Sequence, residues 1–447
     1  MKIKIVLFVI FTTILTNTNA GDDPEIPTQE QYAQALLSAL GASGPRLNQM
    51  VRALAAYCGT EENYFTGMAG NCDDLFLAAL NGNGAIVKRV LRRLRPREVV
   101  QSARTSVEII STQQANIASR MAQVRAGVGN SIAGLNIESS DGNIPLSLLT
   151  YLDDESSKGI LDSPWGFFIN GQISSGDYAY ADASDEGFDF DTNGVTAGVD
   201  YRFNSKTVAG VAIGYADFDS NVGQDAQMQS TAMTFSAYGS FNINTDFYVD
   251  ARASYGRPEF DQTRIINFNI NGNQTDQVAI GETDGTQQSF IISTGYQFSN
   301  NNGWQFTPSA SLEYSKTQVD AFVETQAGAW NVGFSEQNFK TTRFTLGFQA
   351  NKAISLSNGV LIPSVGYQFI HENQNGDDFI LMRISGMPPG EFFEVSTEFN
   401  DADYSSANLG LTYVSSNGKQ AFIQYAEVFG WDGFDRGTLN LGARFEF

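Results

Sequence analysis

From Trp165 to the C-terminus, apolar residues recur at every second position. Phe247, Val249, Ala251, Ala253 and Tyr255 alternate with Tyr248, Asp250, Arg252, Ser254 and Gly256. Leu439, Leu441, Ala443, Phe445 and Phe447 alternate with Thr438, Asn440, Gly442, Arg444 and Glu446. A period of two belongs to strands that present one face to an apolar medium and the other to a polar one. Twelve such segments are predicted, near 164–178, 190–203, 207–220, 230–243, 246–258, 286–298, 304–320, 337–353, 360–374, 403–415, 420–430 and 436–447.

The links between them narrow the choice of architecture. Residues 204–206, 244–245, 299–303, 354–359 and 416–419 are short and rich in Asn, Ser and Gly. The intervening links 179–189, 221–229, 259–285, 321–336 and 375–402 are longer, and only 431–435 departs from the pattern. Short and long links alternating around an even number of antiparallel strands describe a membrane barrel with tight turns at one end and loops at the other. A soluble sandwich also alternates. However, its buried face is richer in Leu, Ile and Val, and it does not line nearly every strand with charges and hydroxyls. A wet lumen does. The 33 Phe and 17 Tyr then go mainly to lipid, and a mean hydropathy of −0.20 is what half-exposed strands give. Many of the 43 Gly are expected to leave room inside for another segment. Asp200, Arg202, Asp250, Arg252, Glu313, Arg343, Arg444 and Glu446 are the expected lumen-facing charges.

The residues before Trp165 follow a helical period instead. Thr28 and Gln31 form a capping-box pattern, followed by Tyr32, Leu36, Leu37 and Leu40. Further stripes run through Leu47, Met50, Val51 and Leu54, and through Val87, Val90, Leu91 and Leu94. A last helix carries Val99, Ala103, Val107, Ile110, Ile117, Met121 and Val124. Between Ile86 and Arg125 nine cations, among them Arg97, Arg104, Arg120 and Arg125, face only Glu98 and Glu108. This stretch is therefore +7 within a chain of −22, and the remainder carries −29. A solvated helix face is the plain reading of such a run, yet an acidic partner lies elsewhere in the same chain. The overall acidity argues against nucleic-acid binding.

Residues 1–20 read as a secretory signal: Lys2 and Lys4, an apolar run Ile5–Leu15, and Thr18-Asn19-Ala20 before the cut. The run is too short to span a bilayer as a helix. Export places Cys58 and Cys72 in an oxidising compartment, where a disulfide between them is expected.

Residues from about Leu91 onward resemble the autotransporters, the type V secretion family of Gram-negative outer membranes. The resemblance rests on Asn116-Ile117-Ala118-Ser119-Arg120-Met121-Ala122-Gln123-Val124-Arg125, on Pro164-Trp165-Gly166-Phe167-Phe168-Ile169-Asn170-Gly171, and on the twelve strands with an aromatic end. It implies a 12-stranded antiparallel transmembrane β-barrel (membrane all-β) with an N-terminal α-helical extension and a helix in its lumen. It also implies a C-terminal insertion signal at Phe445 and Phe447, read by the barrel-assembly machinery after periplasmic chaperones. The expected organisation is a signal peptide (1–20), a short helical passenger or plug (21–90), a linker helix in the lumen (91–163) and the translocator barrel (164–447). The passenger is unusually short for the family, and the linker has no paired asparagines at which to cut.

Chemistry is sparse. With one His and two Cys, no cofactor or metal site is expected, and no catalytic residue. His371-Glu372 near the outer rim, with Asp403 across a loop, reads as a hydrated rim histidine. Acidic and Asn-rich loops could bridge to lipopolysaccharide through divalent ions, although none has EF-hand spacing. Membrane lipid and lipopolysaccharide are the expected surroundings. The readings in competition are a translocator that exports or displays its N-terminal segment and a passive porin-like barrel with a periplasmic plug.

Overall fold

The computed structural model describes residues 26–128, 136–145 and 164–446, apart from 42–43, 66, 95–98, 100–101, 140–141, 180–186, 224, 301, 378, 386, 388–391, 397–401 and 416–418. The signal sequence lies outside the described residues. Thr28 caps α1 (Gln29–Leu40): its hydroxyl accepts from the Gln31 amide, and the Gln31 side chain accepts from the Thr28 amide. Pro45 starts α2 (Pro45–Cys58), where its missing N–H costs nothing. A single turn, Glu61–Tyr64, leads to α3 (Asn71–Leu80), and α4 (Gly84–Leu94) follows. The four main helices bury Tyr32, Leu36, Leu47, Val51, Leu54, Leu75, Val87 and Leu91 in one core. Full burial of each aliphatic side chain is worth about 1.5–3 kcal/mol. The Cys58–Cys72 disulfide, with Cα atoms 5.4 Å apart, ties the end of α2 to the start of α3. Burial raises the phenol pKa of Tyr32, whose hydroxyl donates to the Cys72 carbonyl. Burial, and then the hydrogen bond to Asp73, raise that of Tyr64.

Helix α5 (Ser102–Val128) is about 40 Å long at 1.5 Å per residue. Around it stand twelve strands: β1 (Trp165–Tyr178), β2 (Phe188–Asn204), β3 (Thr207–Val222), β4 (Ala226–Asn242), β5 (Phe247–Ile270), β6 (Asn273–Tyr296), β7 (Trp304–Val319), β8 (Gln337–Lys352), β9 (Gly359–Gly376), β10 (Ala402–Ser415), β11 (Gln420–Trp431) and β12 (Phe434–Glu446). Each pairs antiparallel with its sequence neighbours. β12 closes on β1 from Phe434↔Tyr178 to Glu446↔Gly166, so the ring has no free edge. Arg444, Phe445 and Glu446 pair with Phe168, Phe167 and Gly166, and Phe447 is outside the described residues.

Outward positions carry the apolar half of the alternation. Phe167, Ile169, Val211, Phe235, Phe290, Leu346 and Leu409 are all exposed to the surroundings of the barrel. Trp165, Tyr201 and Phe203 cluster at the short-turn end. Beyond the apolar band, towards the long links, carboxylates face one another across strands on the outer wall: Asp435↔Asp177, Asp177↔Asp189, Asp191↔Asp219, Glu259↔Asp284 and Asp261↔Glu282.

Two expected loops are strand instead. The 221–229 link contracts to residues 223–225, and 259–285 becomes a continuation of β5 and β6 joined only by Asn271-Gly272. Both turn residues have positive φ, 52° and 96°, as the tight hairpin turn matching strand twist requires. β5 residues 265–270 pass the last β4 partner, Arg264, and six residues at ~3.3 Å each raise this hairpin roughly 20 Å above β4. The links 320–336 and 377–401 add a four-stranded sheet outside the barrel, made in order of Phe322–Val323, Val332–Phe334, Phe379–Ile384 and Phe393–Ser396.

Candidate functional site

A helix that fills a barrel must match a polar wall, and α5 does so with polar residues on several sides. Thr105, Ser106, Glu108, Thr112, Gln113, Gln114, Asn116 and Arg120 are all buried. The Arg120 guanidinium, fully buried, donates from Nε and Nη2 to the two carboxylate oxygens of Asp200, both at 2.6 Å. The Tyr238 hydroxyl donates to the same carboxylate at 2.9 Å, and the Phe168 ring lies under the guanidinium. A two-pronged pair of this kind fixes both register and rotation of the helix.

The rest of the helix is read by amides and hydroxyls. Asn116 donates to Thr196 and Thr196 to Gln113, while Asn170 donates to the Asn116 carbonyl. Gln172 donates to Thr112, and Gln114 to Ser254 and Ser289. Arg252 donates to the Gln114 carbonyl at 2.7 Å, and Arg436 to Glu108 at 2.7 Å. Gly194 and Gly214 of β2 and β3 provide clearance: a Cβ at either would strike Thr112 or Gln113.

The expected lumen charges divide between the helix and the wall. Asp200 takes the helix cation, while Glu313 and Glu372 share Arg343 of β8, at 3.2 and 2.7 Å. Tyr404 also donates to Glu372. Asp250 is buried on the lumen side, and Arg202 lies on the wall beside Asp200 and Arg120, half-buried. Arg104 and Arg125 lie within α5; Arg97 is outside the described residues. The helix favours β1–β6, and on the opposite side a cavity of about 150 Å³ remains near Ser119, Gln305, Asn351 and Gln424. His371 and Glu372 point to opposite sides of the wall: His371 is exposed and bonded to Asp403 at 2.8 Å, and Glu372 is fully buried.

The direction of α5 sets the layout of the molecule. Thr105 contacts Met228 near the long-link end of β4, while Arg120 lies beside Gly166 and Asp200 near the short-turn end. Helices α1–α4 accordingly sit at the long-link mouth. Their core is continuous with Ile266, Phe268 and Ile270 of the raised hairpin and with Trp330, Val332, Phe334, Ile380, Met382 and Phe393 of the outer sheet.

The model of the autotransporter beta-domain family matches residues 167–426. The chain belongs to this family. It is an autotransporter β-barrel of the Gram-negative outer membrane. It is similar to the esterase EstA of Pseudomonas aeruginosa, 24% identical over 235 residues, covering 51% of this chain and 34% of that protein. It is also similar to outer membrane protein A of Rickettsia conorii, 24% identical over 287 residues, covering 60% of this chain and 14% of the relative. The chain thus spans about a third or less of the curated relatives it matches. In fold it resembles the translocator domain of the autotransporter NalP from Neisseria meningitidis, with a TM-score of 0.50 at 15% identity, covering 67% of this chain and 94% of that one.

Several parts of this autotransporter were missed by sequence reasoning. The Glu108–Arg436 pair inverts the expected polarity, since here the helix supplies the acid. The raised hairpin was hidden because Asn271-Gly272 sits in an Asn-rich stretch that also reads as a long loop. The alternation Phe260, Gln262, Arg264, Ile266, Phe268, Ile270, all buried, was the available signal.

Proposed function

We propose that the barrel displays its own helical domain on the cell surface and keeps its lumen plugged by α5. One observation carries this reading: α1–α4 pack at the long-link mouth, opposite the end where β1 begins and β12 finishes. Outer-membrane barrels put short turns in the periplasm and long links outside. The organisation that follows is a signal at 1–20, a passenger at 21–90, a linker through the lumen at 91–163 and the translocator at 164–447. Arg120, with Arg97, Arg104 and Arg125, supplies the cationic side of the plug. Asp200, Arg202, Asp250, Arg252, Glu313, Arg343, Arg444 and Glu446 make up the polar wall around it. Phe445 and Phe447 serve as the insertion signal for the barrel-assembly machinery after periplasmic chaperones, and the outer wall meets lipid and lipopolysaccharide.

The His371–Glu372 pair of the barrel wall is not a catalytic dyad. His371 stands on the outer wall and its sequence neighbour Glu372 in the lumen, so the two cannot act on one substrate. The esterase named for the Pseudomonas relative is a protein of which this chain spans 34%. A short epitope placed after Gly21 tests the orientation. Protease added to intact cells is expected to remove it; protection until the outer membrane is permeabilised would refute display.

A further inference from the structure

Three links at the barrel mouth converge on the end of α4. Arg264 of β5 is buried, and Glu324 of the 320–336 link receives its Nε at 3.1 Å and its Nη2 at 2.5 Å. Glu324 also accepts from the Val332 amide at 2.8 Å. The pair is thus built entirely from a strand and a link of the barrel itself. Its remaining nitrogen, Nη1, donates to the carbonyls of Arg93 and Leu94, at 3.4 and 3.3 Å. Those carbonyls belong to the last turn of α4, where backbone acceptors lack helical partners and the helix dipole is negative. A fixed cation aimed there is a socket for a helix C-terminus.

Two further polar anchors surround the socket. Asp225, in the turn after β3, pairs with Arg93. At the tip of the raised hairpin, Asn273 donates to Asp74 at 2.8 Å and Thr275 accepts from Asn71 at 3.2 Å, both at the start of α3. Between the anchors the apolar faces of hairpin and outer sheet are buried against the helices. The polar anchors involve no residue of the connection between Leu94 and Ser102, from which Val99 joins the apolar core.

We propose that the mouth is a receptor for the chain's own helical domain that works without the covalent tether: once the connection is cut, residues 29–94 remain seated on the barrel. This extends the display reading, since it makes the domain a resident of the barrel rather than a cargo. It also gives the long β5–β6 hairpin a purpose, as the wall of a docking platform that no membrane-spanning strand requires.

The test uses the full chain, folded in detergent micelles, with a specific protease site inserted between Leu94 and Ser102. After complete cutting, the helical fragment is expected to co-elute with the barrel on gel filtration. Arg264→Ala removes the socket and leaves Glu324 buried without its partner, and should speed release of the fragment on the order of a hundredfold. Barrel closure is checked separately by the heat-dependent gel mobility of the same samples. Phe268→Ala, on the raised hairpin above the ring, is the second variant should Arg264→Ala fail to fold; it too should speed release. Free elution of the wild-type fragment, or retention unchanged in whichever variant closes, overturns the proposal. Micelles have no inside or outside, so this result is independent of whether the epitope experiment supports display.

Discussion

Arg120 offers the sharpest perturbation of the plug. Its guanidinium makes two 2.6 Å bonds to Asp200 with no solvent exposure, and Tyr238 donates a third hydrogen bond to the same carboxylate. Arg120→Met keeps much of the volume and strands the carboxylate. Removing one partner of a buried pair costs about 3–5 kcal/mol. At about 1.4 kcal/mol per tenfold, that is a change of two to three and a half decades in the equilibrium between seated and unseated helix. The β-pairing that closes the ring does not include the helix, so the cost should fall on α5 alone. Hydrogen exchange of the micellar protein, followed by mass spectrometry, reads it directly. Peptides covering 112–122 should lose protection on the order of a hundredfold or more, while strand peptides keep theirs. Adding Asp200→Leu removes the stranded charge and should restore much of the loss, because a buried pair is nearly interchangeable with apolar residues of similar size. Unchanged protection in Arg120→Met would refute the argument that this pair seats the helix. So would equal loss in helix and strands.

Replacing both Cys58 and Cys72 with Ser should destabilise the helical domain by about 3 kcal/mol, the loop-entropy value for fifteen residues. Urea unfolding followed by helical circular dichroism measures it, and a shift indistinguishable from zero would refute the staple. The same signal checks a pH effect. Tyr32 and Tyr64 have phenol pKa values raised above 10 in the folded domain, chiefly by burial. A raised folded value means stability is intact below the unfolded pKa near 10 and falls as pH rises above it. Tyr64→Phe should flatten that fall; an identical alkaline profile in the variant would count against the assignment.

The barrel was legible because lipid imposes a single rule on every strand, so even isolated segments carried the period. All twelve strands form at the segments where alternation puts them, most ends shift by a few residues, and β5 and β6 run on through the expected 259–285 loop. What sequence could not provide was partnership. The +7 stretch implied an acidic wall, yet nothing in the pattern told Asp200 from Asp250 as the partner of Arg120, since register between helix and strand has no local signal. Wall pairs such as Arg343 with Glu372 likewise depend on which strands are neighbours. The mouth was least visible. Polar tip residues and an Asn-Gly turn look the same in a free loop and in a docking hairpin, and only the buried faces of Ile266, Phe268 and Ile270 distinguish them.

The carboxylates that face one another on the outer wall act as a waterline. Like charges on adjacent strands repel unless water or counter-ions screen them, so this row is stable only where the bilayer ends. Pushing the barrel inward would drag them into hydrocarbon together, and pulling it out would bare Phe167, Phe235 and Phe290. The row runs from β12 through β1, β2 and β3 and reappears on β5 and β6, whereas the facing wall shows His371 and Asp403 near its rim. Immersion is therefore fixed more firmly on one flank than on the other. The raised hairpin stands on the firmly held flank, so the platform it forms inherits a set height above the cell surface.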